Sequence, residues 1–181
     1  GAMSGEYTEG NNNTAVGYYA LRGSNGNTTG TNNTAIGFQA GDVLTTASEC
    51  TFVGRDAGGG VTTGSYNTAI GAESMMGAVT GTHNVVVGRD GLRAITSGSY
   101  NVALGNDTNR VNTTGSNNVA IGHEALFNNT DSNNVGVGYR ALKANTSGTD
   151  NTGVGRESLE ANTTGEQNVS LGKSLYSNTT G

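Results

Sequence analysis

Apolar positions along this chain fall into short phrases of the form Asn-x-small-aliphatic-Gly that return at a fixed interval. Asn118-Val119-Ala120-Ile121-Gly122 is one copy. The closing glycines are Gly17, Gly37, Gly54, Gly71, Gly88, Gly105, Gly122, Gly138, Gly155 and Gly172, in steps of 20, then 17 five times, then 16, then 17 twice. A second phrase, Asn-Thr-Thr-Gly as at the copies ending in Gly115 and Gly165, or a near variant, follows about ten residues after each glycine. A period of 17 is too short for a helical repeat of roughly 33–34 residues. Gly and β-branched residues at fixed offsets, with no 3.6-residue period, predict β-coils. The expected fold is all-β: a parallel β-solenoid (β-roll) of about ten 17-residue coils over residues 13–181. Each coil is expected to hold two or three short strands, each stacked ~4.8 Å from its counterpart one coil on.

The columns of the repeat say what each position must do. The glycine column requires a positive φ or a backbone approach too close for a Cβ. The Asn column, Asn67, Asn84, Asn101, Asn118, Asn134, Asn151 and Asn168 among its members, is expected to stack into a structural amide ladder that also caps the turns. Cys50 takes one Asn position and reads as a buried, inert thiol, a reactive thiol being the alternative. Within each strand the faces alternate. Val119 and Ile121 share one face; Ala120 takes the other. The Ala120 column is small throughout except for Phe52, and the Ile121 column is aliphatic in every coil. A strand apolar on both faces is buried on both. One face fills its own coil, and the other is expected to meet another chain. Three to four residues after the glycine a further apolar column holds Leu21, Met75, Leu92, Leu126, Leu142 and Leu159. Beyond it, Leu44, Val61, Val79 and Ile95 give way to Asn112, Asn129, Asn145, Asn162 and Asn178, which predicts a second Asn ladder in the later coils.

Composition alone would argue for a flexible chain. There are 31 Gly, no Pro, 33% hydrophobic and 13% charged residues in 181, too little apolar surface to offset ordering entropy without a period. Coil-on-coil stacking removes that objection. A net charge of −5 excludes a phosphate backbone as the natural partner, since that needs clustered Lys and Arg. No apolar run approaches the ~20 residues of a membrane helix, so membrane insertion is not expected. No signal peptide is evident, and a single cysteine excludes an intrachain disulfide framework. Gly1-Ala2-Met3 reads as a cloning scar before a polar lead-in to residue 12. Extra residues around Gly23-Ser24-Asn25-Gly26 read as a corner loop. The sequence stops within a repeat, so it is expected to be a piece of a longer fibre.

The phrase Asn33-Thr34-Ala35-Ile36-Gly37-Phe38-Gln39-Ala40 resembles the head repeats of YadA-like trimeric autotransporter adhesins. The longer form, with Ala-Leu and Asn-Thr-Thr-Gly, is similar to repeats of phage-type tail fibres and of the tail-fibre-like trimeric adhesive fibres of predatory bacteria. The resemblance covers about residues 11–181, although the period of 17 is longer than is usual in YadA-like heads. It implies a homotrimer of parallel rolls, exposed extracellularly on a cell surface or virion and used for host or prey attachment.

Three surface columns carry candidate chemistry. Two residues after the glycine, Asp56, Glu73, Asp90, Asp107 and Glu124 would stack one strand spacing apart. That column reads as a solvated acidic stripe relieved by Arg55, Arg89 and Arg110, with a bridging divalent cation or interchain ion pairs as alternatives. Tyr18, Tyr19, Phe38 and Tyr139 lie at the corner just after the glycine, and Tyr66, His83 and Tyr100 just before the Asn column. Such rings suit carbohydrate stacking; packing between coils or chains is the other reading. The adjacent Thr pairs raise ice binding, though they precede a turn glycine rather than forming a flat strand face. His83 and His123 sit at different repeat offsets, and no nucleophile–His–carboxylate or phosphate-loop pattern occurs. No enzyme and no cofactor are expected. The function expected is a trimeric adhesive fibre segment that binds itself and a cell-surface receptor, with a glycan as one candidate. The alternative is a structural shaft whose recognition tip lies elsewhere.

Overall fold

The computed structural model describes residues 3–6, 9–23 and 28–174. Ser24, Asn25 and Gly26 of the corner loop, the first two residues and Asn178 lie outside them. Ten three-residue strands follow in chain order: β1 (Thr14–Val16), β2 (Thr34–Ile36), β3 (Thr51–Val53), β4 (Thr68–Ile70), β5 (Val85–Val87), β6 (Val102–Leu104), β7 (Val119–Ile121), β8 (Val135–Val137), β9 (Thr152–Val154) and β10 (Val169–Leu171). They form one parallel sheet in sequence order, β1 to β10. The register never slips: Ala103 lies opposite Ala120, and Ala120 opposite Gly136. The 16-residue coil therefore loses its residue outside the strand. The fold is an all-β parallel solenoid.

Each coil carries one named strand rather than two or three, with an isolated parallel bridge at Val61–Val79. The reason is a set of left-handed corners at three positions per coil, seen at Asn117 (φ 59°), Glu124 (φ 56°) and Leu126 (φ 52°). Extended pairing cannot run through them. A left-handed L-residue costs roughly 1–2 kcal/mol, and the ladder along the rod offsets it. At such corners the N–H donates to the neighbouring coil: Asn117 to Ser99 O at 3.0 Å, Glu124 to Asn106 O at 3.1 Å and Leu126 to Ala141 O at 2.9 Å.

The repeat glycine satisfies both of its expected conditions. Gly88 has φ +137°, and a Cβ there would sit 2.2 Å from Gly105 O. The same close approach recurs from Gly17 to Gly155, so no other residue fits those positions.

Inside the coil, the middle strand residue packs against the column four after the glycine, so Ala120 and Leu126 share one core cluster. Phe52 is the exception, and its neighbours have adjusted. A Cβ at Gly58 would come within 2.2 Å of the Phe52 ring, and one at Gly41 within 2.7 Å. One large ring replaces the side chains missing from two adjacent layers. Asn109 is a second exception. It is fully buried in a column otherwise led by Leu, and neither amide atom has a partner among the described residues. The apolar core divides at this coil, one cluster reaching Ala103 and the other starting at Ala120.

The Asn ladder is present and fully bonded at its centre. Asn84 Oδ1 accepts the backbone N–H of Asn101 and its side-chain N–H, both at 3.0 Å, while Asn101 Nδ2 also donates to Gly115 O at 2.9 Å. Asn151 and Asn168 continue it. Cys50 interrupts it: buried, with its Sγ 3.5 Å from the carbonyls of Ser48 and Gly64, the thiol is pushed up to about 11 by burial. That is the inert reading of this cysteine. The second ladder appears where the later coils predict it, with Asn145 donating to Asn129 Oδ1 at 2.7 Å and Asn162 to Asn145 Oδ1 at 2.9 Å. The polar lead-in is more than a lead-in. Gly5 N–H donates to Ala20 O, and Glu9 and Gly10 N–H both donate to Thr28 O, so part of it lies over the first coil.

Candidate functional site

The sheet places the middle residue of each strand inward and the two flanking residues outward. The inner column is buried from Ala35 in β2 to Ser170 in β10. Outward, the third-position column runs aliphatic from Val16 to Leu171. Beside it, the first-position column holds Thr in β1 to β4 and β9, and Val in β5 to β8 and β10. No charged side chain interrupts either column. Within one chain these residues are half-buried or open: Ile36, Ile70 and Val87 are 41%, 37% and 41% exposed. Among the described residues nothing closes over this face. The sheet face is thus a stripe two columns wide and ten strands long, apolar along one column throughout.

The acidic column is resolved into ion pairs. The guanidinium of Arg55 spans Asp56 and Glu73, and Arg93 Nη1 spans Glu73 and Asp90 at 2.7 and 2.6 Å. Arg89 adds a second contact to Asp90 at 2.8 Å, Arg110 reaches Asp107 at 3.4 Å, and Arg140 and Lys143 both hold Glu124. Arg93, Arg140 and Lys143 were not among the relieving cations read from sequence. Arg140 lies in the carboxylate column itself, one coil on from Glu124, while Arg93 and Lys143 lie three positions past that column and are turned back onto it by the corner geometry. The Arg55 guanidinium holds the Glu73 carboxyl below its usual range. Burial pushes Asp90 up, but Arg93 and Arg89 outweigh it and hold that carboxyl low; Lys143 and Arg140 do the same for Glu124. Adjacent carboxylates are bridged by guanidinium groups rather than converging on a common point. Among the described residues no group of three or more His, Cys, Asp or Glu could hold a metal ion.

The aromatic candidates fall into separate groups. Tyr18 stacks on Phe38 at 5.7 Å and lies against Tyr19 at 4.0 Å, with the Arg22 guanidinium over the Tyr19 ring at 4.3 Å. Tyr139 occupies the same column in a later coil, stacked on His123 at 5.7 Å between Arg140 and Arg156. It does not join the first three. Tyr66, His83 and Tyr100 form a continuous stack at 4.7 and 4.9 Å with near-parallel planes. In that stack the facing rings cover one another, while the end members Tyr66 and Tyr100 remain 49% and 58% exposed. Tyr18, Phe38 and Tyr139 are 42%, 46% and 37% exposed.

Comparison of the chain with protein-family models, with curated proteins and with solved structures finds no match. The functional reading therefore rests on the fold and these surfaces. No helix among the described residues is long and apolar enough to cross a membrane.

Proposed function

We propose that this chain is a segment of a homotrimeric surface fibre, extracellular on a cell or virion, that holds an attachment surface away from its base. The observation that supports the reading is the uncharged, largely apolar outer face running along all ten strands of the sheet. A stripe of that extent on a soluble chain is an association site. Its repeat matches itself coil by coil, so a parallel copy of the chain is the partner that fits. The resemblance of the repeat to those of trimeric adhesins and tail fibres points the same way. Mechanistically the fibre works by display: a stiff rod repeats the Tyr18–Tyr19–Phe38 platform and the Tyr139–His123 pair once per chain, so weak receptor contacts add through multivalency. Glycan stacking on the open rings at Tyr18, Phe38 and Tyr139 is the contact chemistry.

The test is binding of the labelled chain to intact cells and to a glycan panel, repeated with Tyr18→Ala and Tyr139→Ala. Loss of binding with an unchanged circular-dichroism spectrum supports attachment. A second reading, a shaft without recognition, is favoured by the mutual stacking of Tyr66, His83 and Tyr100. It predicts no cell binding by the wild-type chain at all.

A further inference from the structure

Away from the sheet, a groove of about 390 Å³ opens along three consecutive coils. It lies six and seven residues past each strand, beyond two left-handed corners such as Glu73 and Met75. Its lining is Met76, Gly77, Arg93, Ala94, Arg110 and Val111. The floor is apolar for a local reason. The backbone N–H groups of Gly77, Ala94 and Val111 are spent on the next coil, donating to Arg93 O, Arg110 O and Phe127 O at 2.9, 3.1 and 3.1 Å. Gly77 cannot carry a side chain to fill the space, because a Cβ would meet Ile95 O at 2.1 Å. Met76 and Val111 stand as exposed apolar walls at 36% and 40%. The volume falls at the small end of ligand sites.

Two guanidinium groups border this apolar floor with donors to spare. Arg110 makes its nearest approach to Asp107 through Nε, at 3.4 Å. Its Nη groups donate no hydrogen bond to the described residues. Arg93 uses Nη1 alone, on Glu73 and Asp90, which leaves Nε and Nη2. Guanidinium donors left unfilled beside an apolar notch suit a carboxylate, which they bind in a fork. We propose that this groove is a binding site for a carboxylate carrying a small apolar group, the chemistry of an N-acylated sugar acid on a cell surface. The carboxylate sits on Arg110, with the Arg93 donors beside it, and the acyl methyl lies over Ala94 between Met76 and Val111. The choice of a sugar acid rests on the attachment reading; the groove itself is built from one chain and does not need assembly.

The experiment is titration of the full chain with the methyl glycoside of N-acetylneuraminic acid, followed by saturation-transfer NMR, with N-acetylglucosamine and hexanoate as controls. Saturable binding of the sugar acid is expected, with the strongest transfer to its acetyl methyl. Arg110→Gln weakens it about tenfold or more, as loss of a charge-assisted contact requires, and Ala94→Leu, which fills the notch, removes it. Both variants keep the wild-type circular-dichroism spectrum, since both side chains are half-buried at the surface and belong to neither core cluster. No saturable binding, equal binding of the neutral sugar, binding of hexanoate alone, or an unchanged affinity in Arg110→Gln each overturns the proposal. A chain that attaches to cells while Arg110→Gln has no effect sinks the groove and leaves the attachment reading standing. Sugar-acid binding by a chain that proves monomeric leaves the groove standing and sinks the trimer.

Discussion

Phe52 and Gly58 are coupled through space in a way that a double-mutant cycle reads directly. Phe52→Ala removes a fully buried ring that fills two layers of the solenoid, a truncation that costs about 3–5 kcal/mol. Gly58→Leu alone places a Cβ 2.2 Å from Cδ1 and 2.5 Å from Cε1 of that ring. Overpacking of this kind costs about 1–3 kcal/mol. Combined, the two changes restore the arrangement of the neighbouring layers, where a leucine or methionine four residues after the glycine lies over a small strand residue. The backbone permits it: Gly58 has φ +62°, and Leu126 and Leu159 occupy the same corner at 52° and 53°. Space over Gly41 stays empty, so the double variant remains below wild type. Even so, it is more stable than Phe52→Ala by about 1–2 kcal/mol, and the coupling is about 3 kcal/mol in the favourable direction. Urea denaturation followed by circular dichroism measures all four species. Effects that add within about 0.5 kcal/mol, or a Gly58→Leu variant as stable as wild type, would refute the reasoning.

Other positions make independent predictions. Asn109→Leu replaces a buried amide without partners, between Leu92 and Leu126 in its column, and is expected to stabilise the rod by about 2 kcal/mol; a lower Tm in thermal unfolding would contradict it. Gly88→Ala meets both a forbidden φ and the Gly105 carbonyl, so hydrogen exchange should speed up in the adjoining coils, whereas unchanged protection would count against the close-approach argument. Asn134→Ala strands the buried N–H of Asn151, while the Gly148 carbonyl keeps the Asn145 side chain, and should cost about 1–3 kcal/mol in denaturant titration. The carboxyls of Glu73, Asp90, Glu124 and Glu157 are held below their usual range by adjacent cations. Their stabilisation is therefore present above the ordinary carboxylate range of about 4 and is lost as pH falls through the depressed values. Tm should hold between about pH 5 and 8 and drop below about 4; a rise on acidification would contradict the ion-pair assignment.

The period made the architecture legible, because a strict repeat turns single-residue preferences into columns. Ala120 between Val119 and Ile121 already implied two columns on opposite faces, one inward and one outward, without saying which, and the glycine at the end of each phrase implied the corner. The number of strands per coil was not legible. The corner columns mix Asn and Asp, which tolerate left-handed geometry, with Leu, Glu and Tyr, which carry no sequence signal for it, and inter-coil hydrogen bonds make it tolerable there. The compensation of Phe52 by Gly41 and Gly58 did leave a mark, since both glycines interrupt the column held elsewhere by leucine and methionine. The mark is readable only once the inner column and the leucine column are known to share a layer. Surface chemistry was least legible. Tyr139 and Tyr18 share a repeat position yet belong to different clusters, and the Arg93–Arg110 groove joins residues whose common position in the repeat, five after the glycine, carries Gly59 in one coil and Phe127 in another.

The claim on which the functional account depends is that the outer sheet face is covered by further copies of this chain. Light scattering coupled to size exclusion tests it most directly. The account predicts a particle of three times the 18.2 kDa chain mass, and a shift to lower mass when Val119→Asp and Ile121→Asp place charges in the stripe. A wild-type chain that elutes and scatters as an 18.2 kDa monomer at every concentration tried would contradict it.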